Sequence, residues 1–242
     1  MANGSPRRSS IPWARLVAES AVIVLSILLA FGIDAWWDEK QDAAEAHEIL
    51  LSLREEFLAH RSALAEAKET QQAYSLSIER LLQATRSTDV PPVAIMDTLL
   101  RNATWSSTWH PGSGARDALI ASGRLQLIDN MELRTQLAAW QGVIDELRDN
   151  ELVVRQIIVT MFNPYLGRRG VIPRVKAVRK EWPAPLMSEN EAERAYRDIL
   201  ADPEFEGMLA NRYAWLNVNE YSTAIAFVDN VLQLIEAELQ RY

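Results

Sequence analysis

Between residues 38 and 86, apolar or interior-compatible side chains recur every three or four positions: Ala43, Ala46, Leu50, Leu53, Phe57, His60, Leu64, Ala67, Gln71, Tyr74, Ile78 and Leu81. No proline or glycine interrupts the chain from Ile33 to Val90. A heptad-like spacing of this length predicts one long helix with a buried stripe. Leu51, Leu58 and Leu82 widen that stripe, which suits a helix in a bundle better than an isolated two-stranded coil. The segment RSTDVPP at 86–92 ends it.

The rest of the pattern is also helical. A short amphipathic helix is expected over 93–102, followed by the loop ATWSSTWHPGSG. Helix resumes over 115–122, and Gly123 supplies a left-handed stop. Asp129 and Asn130 are placed to cap a helix running from about 131 to 162, with Leu133, Leu137, Trp140, Ile144, Leu147, Val154, Ile158 and Met161 inside. Residues 163–187 carry Pro164, Pro173, Pro183 and Pro185 and read as irregular. A short helix follows over 189–200. Asp202-Pro203 then looks like the N-cap and first residue of a terminal helix reaching nearly to Tyr242, with Phe205, Leu209, Arg212, Leu216, Ile225, Val228, Leu232, Ile235 and Leu239 buried. The expected fold is all-α, an antiparallel bundle of three long and several short helices.

One run differs in kind. LVAESAVIVLSILLAFGIDAWW, residues 16–37, reads as a membrane span. Its charge-free core of 14 residues, 20–33, covers only about 21 Å of a hydrocarbon layer of roughly 30 Å. Trp13 and Trp36, however, are separated by about 34 Å of helix, which matches two interfacial aromatic belts. Pro12 fits the first turn of that helix. Arg7, Arg8 and Arg15 precede the core, while Asp34, Asp38, Glu39, Asp42, Glu45 and Glu48 follow it against only Lys40. This asymmetry places the amino terminus in the cytoplasm.

The rival reading is a cleaved signal peptide with Ala30-Phe31-Gly32 as its cleavage site. The anchor is preferred because cleavage there falls late for a signal and because paired tryptophan belts have no role in a removed peptide. The expected organisation is a cytoplasmic tail (1–12), a transmembrane helix (13–37) and an extracytoplasmic helical bundle (38–242). The location expected is the bacterial cytoplasmic (inner) membrane, crossed once, with the domain periplasmic or extracellular.

Composition changes this picture little. Cysteine is absent, which excludes a disulfide framework and thiolate chemistry without contradicting export. The 33 acidic residues exceed the 25 basic ones, giving a net charge of −8 that argues against nucleic acid as a partner. Arginine outnumbers lysine 21 to 4, a bias associated with GC-rich bacterial coding.

Candidate chemistry is sparse. The three histidines, His47, His60 and His110, form no pair at metal-ligand spacing. Glu56 and His60 stand one turn apart, more in keeping with a polar core pair than with half a site. No phosphate loop, nucleophile elbow or nucleotide fingerprint occurs, so neither an enzyme nor a cofactor is expected.

Two surfaces remain. Within the span, Glu19, Ser26 and Ile33 repeat every seven residues and Ser26, Ala30 and Asp34 every four, giving a polar or small seam. Such a seam suits contact with another membrane helix, in a homo-oligomer or a different protein; Glu19 is equally placed to lie at the headgroup boundary beside Arg15. In the loop, Trp105, Trp109 and His110 with the nearby Arg116 suggest an aromatic, weakly basic ligand or partner surface, or a plug for one end of the bundle. Arg168, Arg169, Arg174, Lys176, Arg179 and Lys180 form a basic group that reads either as a contact for anionic surfaces or as a solvated loop.

The stretches ESAVIVLSILLAFGIDAWWDE, EILLSLREEF and ALIASGRLQLIDNMELRTQLAAW resemble a group of uncharacterised bacterial single-pass membrane proteins, a likeness that spans most of the chain. Its pattern falls here on Glu19, Asp34, Trp36, Ser122, Gly123, Leu125, Ile128, Asn130, Leu133 and Arg134, with Asp129 and Trp140 as departures. The resemblance implies the anchored helical architecture and names no activity. The leading expectation is therefore a membrane-anchored interaction or scaffold protein. The alternative is an extracytoplasmic ligand-sensing bundle, which needs a membrane partner because the expected cytoplasmic tail is too short for an output domain.

Overall fold

A computed structural model describes residues 13–106, 108–109, 111–112, 114–178, 187–216 and 218–241, with the side chains of 13–16 and 18 left aside. Pro12, Arg7, Arg8, His110, Arg179, Lys180, Pro183 and Pro185 fall outside these residues, as do the side chains of Trp13 and Arg15. The described elements are helical, in agreement with the all-α expectation, and no strand occurs among them.

Helix α1 runs unbroken from Trp13 to Thr85, 73 residues or about 110 Å. From Ala46 to Leu81 every position of the sequence-derived stripe is buried, and Ala43 at its start is half-buried. Leu51 and Leu58 remain exposed, so the stripe is narrower there than their hydrophobicity suggests. The described residues ahead of the stripe, 17–42 apart from Ala18, are all exposed.

Helices α2 (Val93–Ala103) and α3 (Ala115–Ala121) follow. A short 3-10 turn then leads from the left-handed Gly123 (φ 70°) to α4 (Met131–Ile157). Asn130 caps α4 by accepting the Leu133 backbone N–H at 3.1 Å. The buried Glu238 carboxylate accepts the backbone N–H groups of Asp129 (3.0 Å) and Asn130 (3.1 Å), satisfying donors at the α4 entry.

The expected single helix to residue 162 needs correction. A π-helical turn, Ile158–Phe162, joins α4 to α5 (Asn163–Arg168). Pro164 lacks an N–H and its ring opposes the carbonyl four residues back, so the wider turn accommodates it without ending the rod. The extra residue shifts the register: Phe162 is buried where Met161 was expected, and Met161 is exposed.

Residues 163–177 are likewise less irregular than their prolines imply. Pro173 occupies the first turn of α6 (Ile172–Ala177), where a missing donor costs nothing, and Pro164 sits just past the π-helical turn that accommodates it. The remaining helices are α7 (Glu189–Leu200), opened by a Ser188–Glu191 capping box, α8 (Pro203–Ala214) and α9 (Val218–Leu239). The terminal helix is thus two helices, parted around Trp215 and Leu216, with Asp202 and Pro203 in their expected capping roles.

Helix α9 packs on both α1 and α4. Arg54 pairs with Glu236 and Arg61 with Asp229, while Asn150 bonds Glu220 and residues 129–130 meet Glu238. These crossings set α9 antiparallel to both neighbours, which share a direction. Two cores result. One, nearer the exposed half of α1, gathers Leu50 to Ala67, Trp109, Leu119, α4 from Leu133 to Leu147, and α9 from Tyr221 to Ile235. The other surrounds Ile78 to Ala84 with α2, α5, α6, α7 and α8. On α1, Gln71 and Tyr74 lie between them.

Candidate ligand cavity and the loop that feeds it

The loop after α2 does not gather its aromatic residues into one pocket, because Trp105 and Trp109 face different surroundings. Trp109 is buried against His60 and Trp140, with ring centroids 5.9 Å away in both cases, and Phe57 packs on the same pair at 5.6 and 5.5 Å. Its backbone N–H donates to Glu151 Oε1 (2.9 Å), which also accepts the Tyr221 hydroxyl (2.8 Å). Trp109 is thus part of the core formed by α1, α4 and α9. It adds the tertiary reason His60 is tolerated inside: its Nε2 stands 3.4 Å from Glu56 Oε1, and three aromatic rings surround it.

Arg116 is buried too, but against α4. Its Nε donates to the Leu137 carbonyl at 2.9 Å and its Nη1 to Asp117 at 2.6 Å, while its backbone N–H meets Glu56 at 3.2 Å. Burial raises the Glu56 carboxyl, yet His60 and the backbone N–H groups of Arg116 and Ala115 outweigh it and hold the group below the ordinary range. Arg116 is therefore a brace between α3 and α4, and His110 lies outside the described residues.

Trp105 takes the other direction. It lines a cavity of about 560 Å³ beside the second core, to which the lining residue Val175 belongs. Thr70 and Tyr74 of α1 form one wall, and Thr104, Ser106 and Thr108 of the loop region another. Ile158, Ile172 and Val175 give an apolar face, with Asn163 beside them. The charged residues of the lining are Arg101, Arg155 and Lys176. Arg101 is buried, donates from Nη1 to Asn102 (3.0 Å), and stacks its guanidinium 4.9 Å from the Trp105 ring centre. Arg155 and Lys176 are exposed at its edge.

Behind this wall sits Arg212, wholly buried on α8. Its Nη2 donates to the Trp105 carbonyl at 3.2 Å, whereas Nε and Nη1 meet no acceptor among the described residues. Burial pulls its pKa down to about 10, which still leaves it cationic at neutral pH.

The basic group at 168–180 disperses in the fold. Arg174 forms a two-nitrogen contact with the buried Asp97 at 3.2 and 2.9 Å, and the Tyr196 hydroxyl donates to the same carboxylate, tying α2, α6 and α7 together. Arg169 pairs with Asp202 over the Tyr165 ring, and Arg168 lies 3.6 Å from Glu204. Of the described members, Lys176 is the one that reaches the cavity.

In the exposed half of α1, Glu19, Ser26, Ala30 and Asp34 are all at the surface. The Ser26 hydroxyl donates to the Val22 carbonyl at 2.8 Å, which satisfies its proton within the helix. One helix near the amino terminus is long and apolar enough to cross a membrane by length and composition. Among the described residues no group of three or more His, Asp or Glu side chains is placed to hold a metal ion. Comparison of the chain with protein-family models, curated proteins and solved structures finds no match in any of the three.

Proposed function

We propose that this chain is a membrane-anchored, non-enzymatic helical interaction protein of the bacterial cytoplasmic membrane. Its amino terminus lies inside, and its bundle is held outside by the same helix that crosses the bilayer. The observation that carries this reading is the continuity of α1, whose exposed apolar first part passes without a break into the buried stripe of the bundle. A rigid helical connection fixes the domain relative to the bilayer, as a scaffold requires and a flexible tether does not. The acidic flank after the span and the arginines before it support the orientation. The resemblance of the 19–39 and 118–140 segments to the single-pass group described above supports the same reading.

In this reading the lipid bilayer is the first partner. The seam of Glu19, Ser26, Ala30 and Asp34 meets a second membrane helix, either of another copy or of another membrane protein. Purification in mild detergent is expected to retain an oligomer or a membrane partner, and Glu19→Leu or Ser26→Leu to weaken it. A clean monomer indifferent to both substitutions contradicts the interaction role. The alternative, a ligand-sensing bundle, gains support from one feature alone, the basic cavity beside Trp105.

A further inference from the structure

In a chain with eight more acidic than basic residues, the cavity beside Trp105 has a charged lining made of Arg101, Arg155 and Lys176, with no carboxylate among the described lining residues. We propose that this cavity binds a small organic anion, a carboxylate or phosphate carried on an aromatic or apolar body. Three features specify that class.

The first is charge. Buried cations are ordinarily paired, because an unpaired one keeps a large desolvation cost. Arg212 is wholly buried directly behind Trp105, and two of its nitrogens have no acceptor among the described residues. Arg101, Arg155 and Lys176 line the cavity in front of it, so the charged groups among its described lining residues are all basic.

The second is shape. At about 560 Å³ the cavity has the size of a small-molecule site rather than of an ion or a peptide groove. Trp105 presents a partly exposed ring already stacked on Arg101, and Ile158, Ile172 and Val175 supply apolar lining beside the charges. A bare inorganic anion leaves that lining unused.

The third is position. Tyr74 follows Trp37 by about 55 Å of helix, so on the membrane reading proposed above, headgroups of the anchoring bilayer do not reach the cavity. The ligand is then a soluble molecule.

Calorimetric titration of the full chain in detergent with phenyl phosphate, benzoate, inorganic phosphate and benzyl alcohol tests this. Saturable binding is expected for phenyl phosphate or benzoate, and which of the two binds identifies the anionic group. That binding should weaken about tenfold or more in an Arg155→Gln/Lys176→Gln variant, whose replaced side chains are exposed and whose fold is checked by circular dichroism. Three results overturn the proposal: no saturable binding of either organic anion below roughly 10 mM, undiminished affinity in the variant, or equal affinity for benzyl alcohol or inorganic phosphate. Because titration in detergent does not depend on how the chain sits in a membrane, failure of the anchor reading leaves this outcome readable.

Discussion

The two parts of α1 are one helix in two environments. Over 19–42 every side chain is exposed, apolar ones included; from Ala46 to Leu81 the same backbone hides a repeating stripe and exposes the rest. Over 21–33 the first part is apolar around most of its circumference, so no single face can be buried by a neighbouring helix of the bundle. Its apolar surface calls for a solvent of its own kind on all sides, which a bilayer provides. The second part concentrates its apolar groups on one side and gains stability from α9, α2, α8 and α3. Distribution around the helix, more than total hydrophobicity, separates an anchor from a core.

Substitutions on the two parts should therefore behave oppositely. Phe57→Ala, which empties a wholly buried site packed on Trp140, is expected to cost the domain about 3–5 kcal/mol, read by chemical denaturation of the chain in detergent. Leu28→Ala in the exposed part should leave that transition in place.

Alkaline pH is expected to divide the parts in a similar way. Burial, reinforced by hydrogen bonds to Asp202, Asp97 and Glu151 respectively, pushes the hydroxyls of Tyr165, Tyr196 and Tyr221 well above the ordinary range. The raised groups contribute stability that is complete below the unfolded-state value of about 10 and declines as pH rises above it. Tyrosinate absorbance should thus rise together with loss of domain helix, while the residual helicity of the span in detergent persists. Ionisation of all six tyrosines without unfolding runs against this.

A smaller effect follows from the Glu238 cap. Glu238→Ala deprives the backbone donors of Asp129 and Asn130 of their acceptor, at a cost of about 1–3 kcal/mol, measured as a lower denaturation midpoint. Smallest of all is Arg61→Ala, since the pair with Asp229 is solvent-exposed; no shift beyond experimental scatter is expected.

The stripe of α1 was legible because a long uninterrupted period leaves little choice of face. The register of α9 was legible only in part, at Val228 and Ile235. Its buried line is Tyr221, Ala224, Val228, Val231, Ile235 and Glu238, whereas Ile225, Leu232 and Leu239, the greasier neighbours, are only half-buried. Hydrogen bonds made by Tyr221 and Glu238 set that register, and no periodicity scale registers them. The break near Trp215 carries neither proline nor glycine, so local propensity gave no sign of it.

The loop was recognised as a distinctive segment, but its two tryptophans were separated by packing that depends on α4 and α9. The cavity drew residues from 70 to 176, which come from several separate elements and share no sequence pattern. One signal did exist: Arg212 falls on the buried line of its helix, and an arginine there asks for an anion.

The central claim is that α1 carries the bundle across a membrane, and the cysteine-free sequence makes it directly testable. Single cysteines at Ser5, Ser26 and Ser62 can be probed with a membrane-impermeant maleimide in intact cells. We expect Ser62→Cys, exposed on the bundle part of α1, to label without lysis. Ser5→Cys should label only after lysis, and Ser26→Cys should resist labelling while the membrane is intact. Labelling of Ser5→Cys in intact cells, or of Ser62→Cys only after lysis, contradicts the proposed anchor and its direction.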